Sequence, residues 1–301
     1  MSNQIIVIGS SNTDMVLKTP RFPKPGETIL GGEFYVFQGG KGANQAVAAA
    51  RAGGKVHFIC KVGNDAFGEA AIQHYTQEDI DVSGILKDEK VATGVAVIAV
   101  NAEGENSITV ASGANALLVV DEVAMIVEKL VSVQWLITQL ETPIEVLIYW
   151  ARYAREQGKN LILNPAPAAS LPDEVYEGLF LITPNETETE LLTGIEVTDE
   201  VTAKQASEIF KLKGVQNVII TLGSKGAYVS SQSFTGIVAA IKVKAIDTTA
   251  AGDVFNGALI VALAEGEDWL EAVQFACKAS AISVTKMGAQ ASAPFREEIN
   301  V

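Results

Sequence analysis

Asp253 stands where an acid can do chemistry. It closes a run of small residues, DTTAAGD (247–253), and leads into the apolar helical pattern VFNGAL. Small residues let backbone amides approach a ligand closely. A helix beginning near Gly252 turns its free N–H groups and the positive end of its dipole into that loop. The result is a cradle for negative charge with a carboxylate beside it, placed to take a proton from a hydroxyl that attacks a phosphate. The purely structural alternative is that Asp253 caps the helix, since aspartate is a favoured N-cap.

Other polar groups share this potential. GGKGAN (39–44) is a second glycine-rich helix start. It lacks the GxxxxGK pattern of a P-loop, but Lys41 and Asn44 supply donors and an acceptor suited to sugar hydroxyls. SSNTD (10–14) offers Asn12 and Asp14 for hydroxyls, or for a capped turn, and has no GxGxxG, which disfavours a dinucleotide oxidoreductase. Glu141 follows the apolar stretch VQWLITQL and either faces the same ligand or caps the next helix. In NETE (185–188), Asn185 and Glu188 have the spacing of a capping box, or of hard oxygen ligands reaching Mg²⁺. Gly223 and Gly226 follow NVIITL.

The elements that must position these residues alternate. Apolar strands are expected at 4–9, 56–63, 133–140, 160–165, 178–185 and 217–223. Helices are expected from about 42 and over 66–78, 121–131, 143–157, 186–193, 201–213, 252–265 and 268–285, with short strands in AYVSS and SFTGIVAAI. This order predicts an α/β fold with a mostly parallel central sheet flanked by helices. The candidate polar groups then fall beyond the carboxyl ends of strands, where open α/β sheets bind ligands. Two segments, about 13–38 and 91–111, read as β without helices and are expected to form a small β-sheet lid on a single domain spanning 1–301. EFYVF and VAVIAV carry apolar groups on both faces. One face can cover a ligand; the other calls for a second copy of the chain, with packing inside one chain as the alternative.

Composition narrows the function further. A formal net charge of −14 disfavours nucleic acid as a partner. Cys60 and Cys277, the two cysteines, sit in apolar runs, which suits buried reduced thiols and a cytoplasmic setting. No stretch approaches the ~18 apolar residues of a membrane span, and no signal peptide is expected.

In order along nearly the whole chain, GSSNTD, GGKGANQA, KVGNDAFG, QLE (139–141), NPAPA, TPNETE, TLGSKG, DTTAAGDVFNGAL and GAQASAP resemble the ribokinase-like (PfkB) carbohydrate kinase family. The resemblance implies a Rossmann-like sheet with a β lid and ATP-dependent phosphorylation of a sugar hydroxymethyl group, O5 of ribose. It makes Asp253 the base and the amides of Ala250, Ala251, Gly252 and Asp253 an anion hole. Asn12, Asp14, Gly40, Lys41, Asn44 and Glu141 match sugar-contacting positions. Asn185, Thr221, Gly223, Gly226 and Gly252 match nucleotide-side positions. Glu188 with Asn185 matches an element tied to Mg²⁺. Asp247, Thr249, Ser283, Lys286, Gly288 and Ser292 match a loop that holds a monovalent cation, usually K⁺. Relatives acting on deoxyribose, fructose or a nucleoside, and a non-catalytic sugar sensor, are the alternatives.

Two departures stand out. The family usually shows GAGD where this chain has AAGD, so Ala250 is expected at negative φ. Some members carry a histidine near the adenine where this chain has Cys277.

Overall fold

The computed structural model describes residues 3–300. The chain runs β1 (Gln4–Ile8), β2 (Asn12–Lys18), β3 (Glu33–Gly39), α1 (Lys41–Arg51), β4 (Lys55–Gly63), α2 (Ala66–Gln77), β5 (Ile85–Asp88), β6 (Gly94–Val100), β7 (Asn106–Ala111), α3 (Val120–Val127), β8 (Trp135–Thr138), α4 (Ile144–Gln157), β9 (Asn160–Leu163), β10 (Leu181–Ile182), α5 (Glu186–Thr193), α6 (Glu200–Leu212), β11 (Asn217–Thr221), β12 (Ala227–Ser230), β13 (Thr235–Val238), α7 (Ala251–Glu265), α8 (Trp269–Ser283) and α9 (Arg296–Asn300).

Nine strands form the main sheet in the order β13-β12-β11-β10-β9-β8-β1-β4-β5. It is parallel from β11 to β5, and β12 and β13 add antiparallel at one edge. Strand alternation divides the core. Ile5, Val7, Phe58, Ile137, Ile162 and Ile219 face one apolar layer, which α1, α7 and α8 complete. Ile6, Ile8, Ile59, Leu136, Leu161 and Ile220 face the other, which α3, α4 and α6 complete. Both faces are covered, so the strands read as unbroken apolar runs.

Two expectations need adjusting. The strand foreseen over 178–185 shrinks to Leu181–Ile182; Gly178, at φ 71°, turns the chain before it, and Pro184, which has no N–H to donate, interrupts the ladder after it. Strand β5 was not foreseen. Its four residues, ILKD, carry no usable period and become a strand only by pairing Ile85–Asp88 with Cys60–Gly63.

A second sheet, β3-β2-β6-β7, lies at the carboxyl ends of the main strands. Cross-strand partners share a face. Asp14 pairs with Phe37 and Ala96, and Ala96 with Val110, so these four look the same way. Met15, Val36 and Val97 look the other way. On that second face Phe34, Val36 and Val97 are exposed.

Helices α1 and α7 pack closely because α7 carries Gly257. A Cβ there would stand 2.6 Å from the Cβ of Ala48 and 2.8 Å from the carbonyl oxygen of Gln45. This contact brings the first turns of both helices to one point.

Candidate active site

That point is Asp253, which is only 6% exposed. It does not cap its helix. The N-cap of α7 is Ala250, and Asp253 is the third helical residue. Asn44 Nδ2 donates to its Oδ2 at 2.9 Å, and Gln45 Nε2 donates to its Oδ1 at 3.0 Å. Burial pushes the Asp253 carboxyl above the usual carboxylate range, while Lys41 and the two amides pull against that rise.

Ala250 overturns the expectation of a negative φ: its φ is 59° and ψ 14°, in the left-handed region. A left-handed alanine costs roughly 1–2 kcal/mol. The chain reaches α7 from a loop anchored by Asp247, and this single residue makes the reversal. The first helical amides then open into the crevice. Ala251 N–H is drawn back to the Thr248 carbonyl at 3.3 Å. The N–H groups of Ala250, Gly252 and Asp253 have no protein acceptor among the described residues, so of the four amides expected to form the anion hole these three are free to meet an anion.

The other candidate residues gather around this centre. Glu141 accepts from the Ser10 hydroxyl and, at 3.0 Å, from Lys41 N–H, so it serves the start of α1 and not α4. Gly40, with φ 89°, is the N-cap of α1. Asn12 Oδ1 accepts from Asn115 Nδ2 at 2.8 Å. Burial, Glu141 and Asp253 raise Asp14 to about 6. Lys41 is half-buried, and desolvation alone would lower its pKa, but Asp253, Glu141, Glu188 and Asp14 together raise it, so it stays charged. Asn12 and Glu141 line a cavity of about 480 Å³ with Val110 of the second sheet and Pro167.

Farther along the sheet, Asn185 bridges to Thr221 across the ends of β10 and β11. Gly223 and Gly226, both at positive φ, make the turn into β12. A second cavity of about 450 Å³, lined by Ile241, Phe275 and Cys277, runs along α8. Asn185 and Glu188 form a capping box: Glu188 N–H donates to Asn185 Oδ1 at 2.8 Å and Asn185 N–H to Glu188 Oε2 at 2.9 Å. Glu188 is nevertheless buried, and burial raises its pKa.

The Asp247 loop is tied to the segment after α8. Asp247 accepts from Thr249 N–H and from Gly288 N–H, both at 2.9 Å. The hydroxyls of Ser283 and Ser292 donate to carbonyls of their own turns, and Lys286 Nζ pairs with Glu298.

Sequence reading missed a layer of buried amides behind Asp253. Gln45 Nε2 also donates to Asn164 Oδ1 at 3.0 Å. Asn164 donates to the Thr183 carbonyl, the Thr183 hydroxyl to Asn256 Oδ1, and Asn256 Nδ2 to the Gly252 carbonyl. The chain of bonds closes on the residue before Asp253. The signal was present as polar residues inside apolar segments, such as Gln45 among alanines and Asn256 within VFNGAL.

An acid beside free helix amides, with buried polar side chains on one side and a glycine turn on the other, suits a small-molecule phosphotransferase on an α/β sheet. The chain matches the pfkB family carbohydrate kinase over residues 2–296 and belongs to that family. It is 46% identical to a ribokinase of Haemophilus influenzae over 99% of this chain and 97% of that one. A deoxyribokinase of Salmonella typhi is 37% identical over 98% and 97%. Among solved structures, Arabidopsis thaliana ribokinase complexed with ribose and ATP matches with a TM-score of 0.93 at 30% identity, covering 100% of this chain and 98% of that one.

Proposed function

We propose that this carbohydrate kinase transfers the γ-phosphoryl of ATP to O5 of D-ribose, with Asp253 as the base. The observation that carries the reading is Asp253 itself: a buried carboxylate held by two side-chain amides, one residue past the free Gly252 amide. Ribose as substrate rests on the relatives named ribokinase and on the ribose-bound neighbour.

In this reading the sugar enters between the two sheets, and Asn12, Asp14, Gly40, Lys41, Asn44 and Glu141 meet its hydroxyls. Asn115 holds Asn12 Oδ1, which leaves the Asn12 amide group for the sugar. The Asp253 carboxylate takes the O5 proton as O5 attacks phosphorus in line. The free amides of Ala250, Gly252 and Asp253, with the weakly engaged Ala251 amide and the dipole of α7, hold the charge spreading over the transferring group. Asn185, Thr221, Gly223 and Gly226 border the nucleotide, and the cavity beside Cys277 takes its base. The second sheet acts as a lid of one kinase domain, excluding water from the transfer.

The residues present fit Mg²⁺ and K⁺. Asp14, Glu141, Glu188 and Asp253 act on a single ammonium, Lys41, so the pocket carries excess negative charge before a polyphosphate arrives. Among the described residues no cluster of three or more acidic, histidine or cysteine side chains could hold a metal alone. This suits Mg²⁺, which typically takes one or two protein carboxylates plus phosphate oxygens. Glu188, with Asn185, would hold it directly or through water, and it would supply charge neutralisation. Asp247, Thr249, Ser283, Lys286, Gly288 and Ser292 would hold K⁺, largely through carbonyls since several of their polar side chains are engaged, and it would steady the loop that feeds α7.

We assign the protein to the cytoplasm, on the two buried unpaired thiols. No helix among the described residues is long and apolar enough to cross a membrane. We also propose a homodimer through the exposed face of the lid, where Phe34, Val36 and Val97 lie bare.

The test is purified protein with MgATP, K⁺ and a panel of ribose, deoxyribose, fructose and nucleosides, scored by phosphorylated product. Ribose turning over with the highest kcat/KM supports the reading. Deoxyribose ahead of ribose replaces the substrate, and no ATP consumption with any sugar leaves a sensor.

A further inference from the structure

The amides around Asp253 have a fixed polarity. An ionised carboxylate only accepts hydrogen bonds, so Asn44 and Gln45 must both turn their NH₂ ends toward it. Their carbonyl ends then need donors. Gln290 Nε2 donates to Asn44 Oδ1 at 3.2 Å, and Gln139 Nε2 donates to Gln45 Oε1 at 2.6 Å. Both outer glutamines are buried, at 3% and 1% exposure. Gln290 is held in turn: its Oε1 lies 3.0 Å from His74 Nε2, and its main-chain carbonyl accepts from Arg51 at 2.9 Å. Among the described residues Gln139 Oε1 has no hydrogen-bond partner. Leaving a buried acceptor unpaired costs about 1–3 kcal/mol, and the arrangement tolerates that cost so that the NH₂ end serves Gln45. The carbonyl end rests against Gly9, where a Cβ would come within 2.1 Å of it.

We propose that Gln290 and Gln139 are positioning residues for phosphoryl transfer, which lock the donor ends of Asn44 and Gln45 onto Asp253. They touch no reacting atom. They act by forbidding amide rotations that would present a carbonyl oxygen to the carboxylate, repel it and turn it from its line to the attacking hydroxyl. The inference rests on Asp253 being the base of the proposed reaction.

A double-mutant cycle tests it, with Gln290→Met removing the donor at nearly constant volume. Gln290→Met should lower kcat on the order of 10–100-fold, with KM for ATP within about twofold of wild type. In an Asn44→Ala background the same change should cost less than about twofold, because the residue it acts through is gone. Gln139→Met with Gln45→Ala forms a second cycle should the first variant fail to fold. An undiminished kcat, or an equal loss in both backgrounds, overturns the proposal. If the wild type phosphorylates no sugar, the proposed function falls, and the Asn44 side-chain amide resonance decides this inference separately. It should move in Gln290→Met, and an unchanged resonance rejects the lock.

Discussion

Asp14 is a residue whose chemistry opposes the stability of the fold. Burial, Glu141 and Asp253 raise its carboxyl from 3.8 to about 6. A raised folded-state pKa means that the ionised form present at neutral pH is disfavoured in the folded protein. The penalty applies in full above about 6 and disappears as pH falls toward the unfolded value. A shift of this size corresponds to on the order of 2–3 kcal/mol. Asp14→Asn should therefore raise the melting temperature of the unliganded protein at pH 8, lose that advantage near pH 4, and still weaken sugar binding. Melting curves at the two pH values with sugar titrations check this. Equal melting temperatures at pH 8 would contradict it. Wild-type kcat/KM for the sugar should likewise fall as pH drops through about 6, where Asp14 takes up a proton. Ala250 belongs to the same scale. The sequence displayed AAGD plainly, yet its left-handed backbone was not legible, because propensity argues against it and only the turn from the Asp247 loop into α7 imposes it. Ala250→Gly should stabilise the protein by roughly 0.5–1 kcal/mol, read by denaturant unfolding.

Two helix starts make the centre of the site, and a close helix contact holds them in register. Glycine-rich GGKGAN and small-residue DTTAAGD were legible as helix starts because capping physics and dipoles are local. Their meeting was not, since it depends on Gly257 lying against Ala48 and Gln45. Gly257→Ala should cost about 1–3 kcal/mol through overpacking. It should also lower kcat, because α1 must move away and take Asn44 and Gln45 with it. Unfolding curves and kinetics on the same variant test the coupling, and a stability loss with unchanged kcat would separate helix packing from the site. The buried amides escaped notice because a single glutamine among alanines carries no period. Strand β5 escaped because its four residues find their conformation only against β4. Asn185 and Glu188 were ambiguous in the sequence. The capping box between them accounts for one oxygen of each, without removing Glu188 from the pocket.

At the scale of the molecule, the alternation of strands and helices gave away the parallel sheet, since each element carries its own period. The lid was legible as β-rich segments but not in its pairing, where β2 lies between β3 and the sequence-distant β6. That pairing turns Asp14 to one face and Val36 and Val97 to the other. If the second face meets another subunit, Val97→Asp should convert a dimer to a monomer in sedimentation while circular dichroism stays native. A wild-type monomer at micromolar concentration would contradict the proposed interface. The most direct test of the whole account is single-turnover phosphorylation of ribose by Asp253→Asn. That variant keeps the size of the side chain but offers no base. With binding of ribose and ATP retained, the rate should fall by about 10²–10⁴-fold, whereas a loss of only a few-fold would show that the proton leaves O5 by another route.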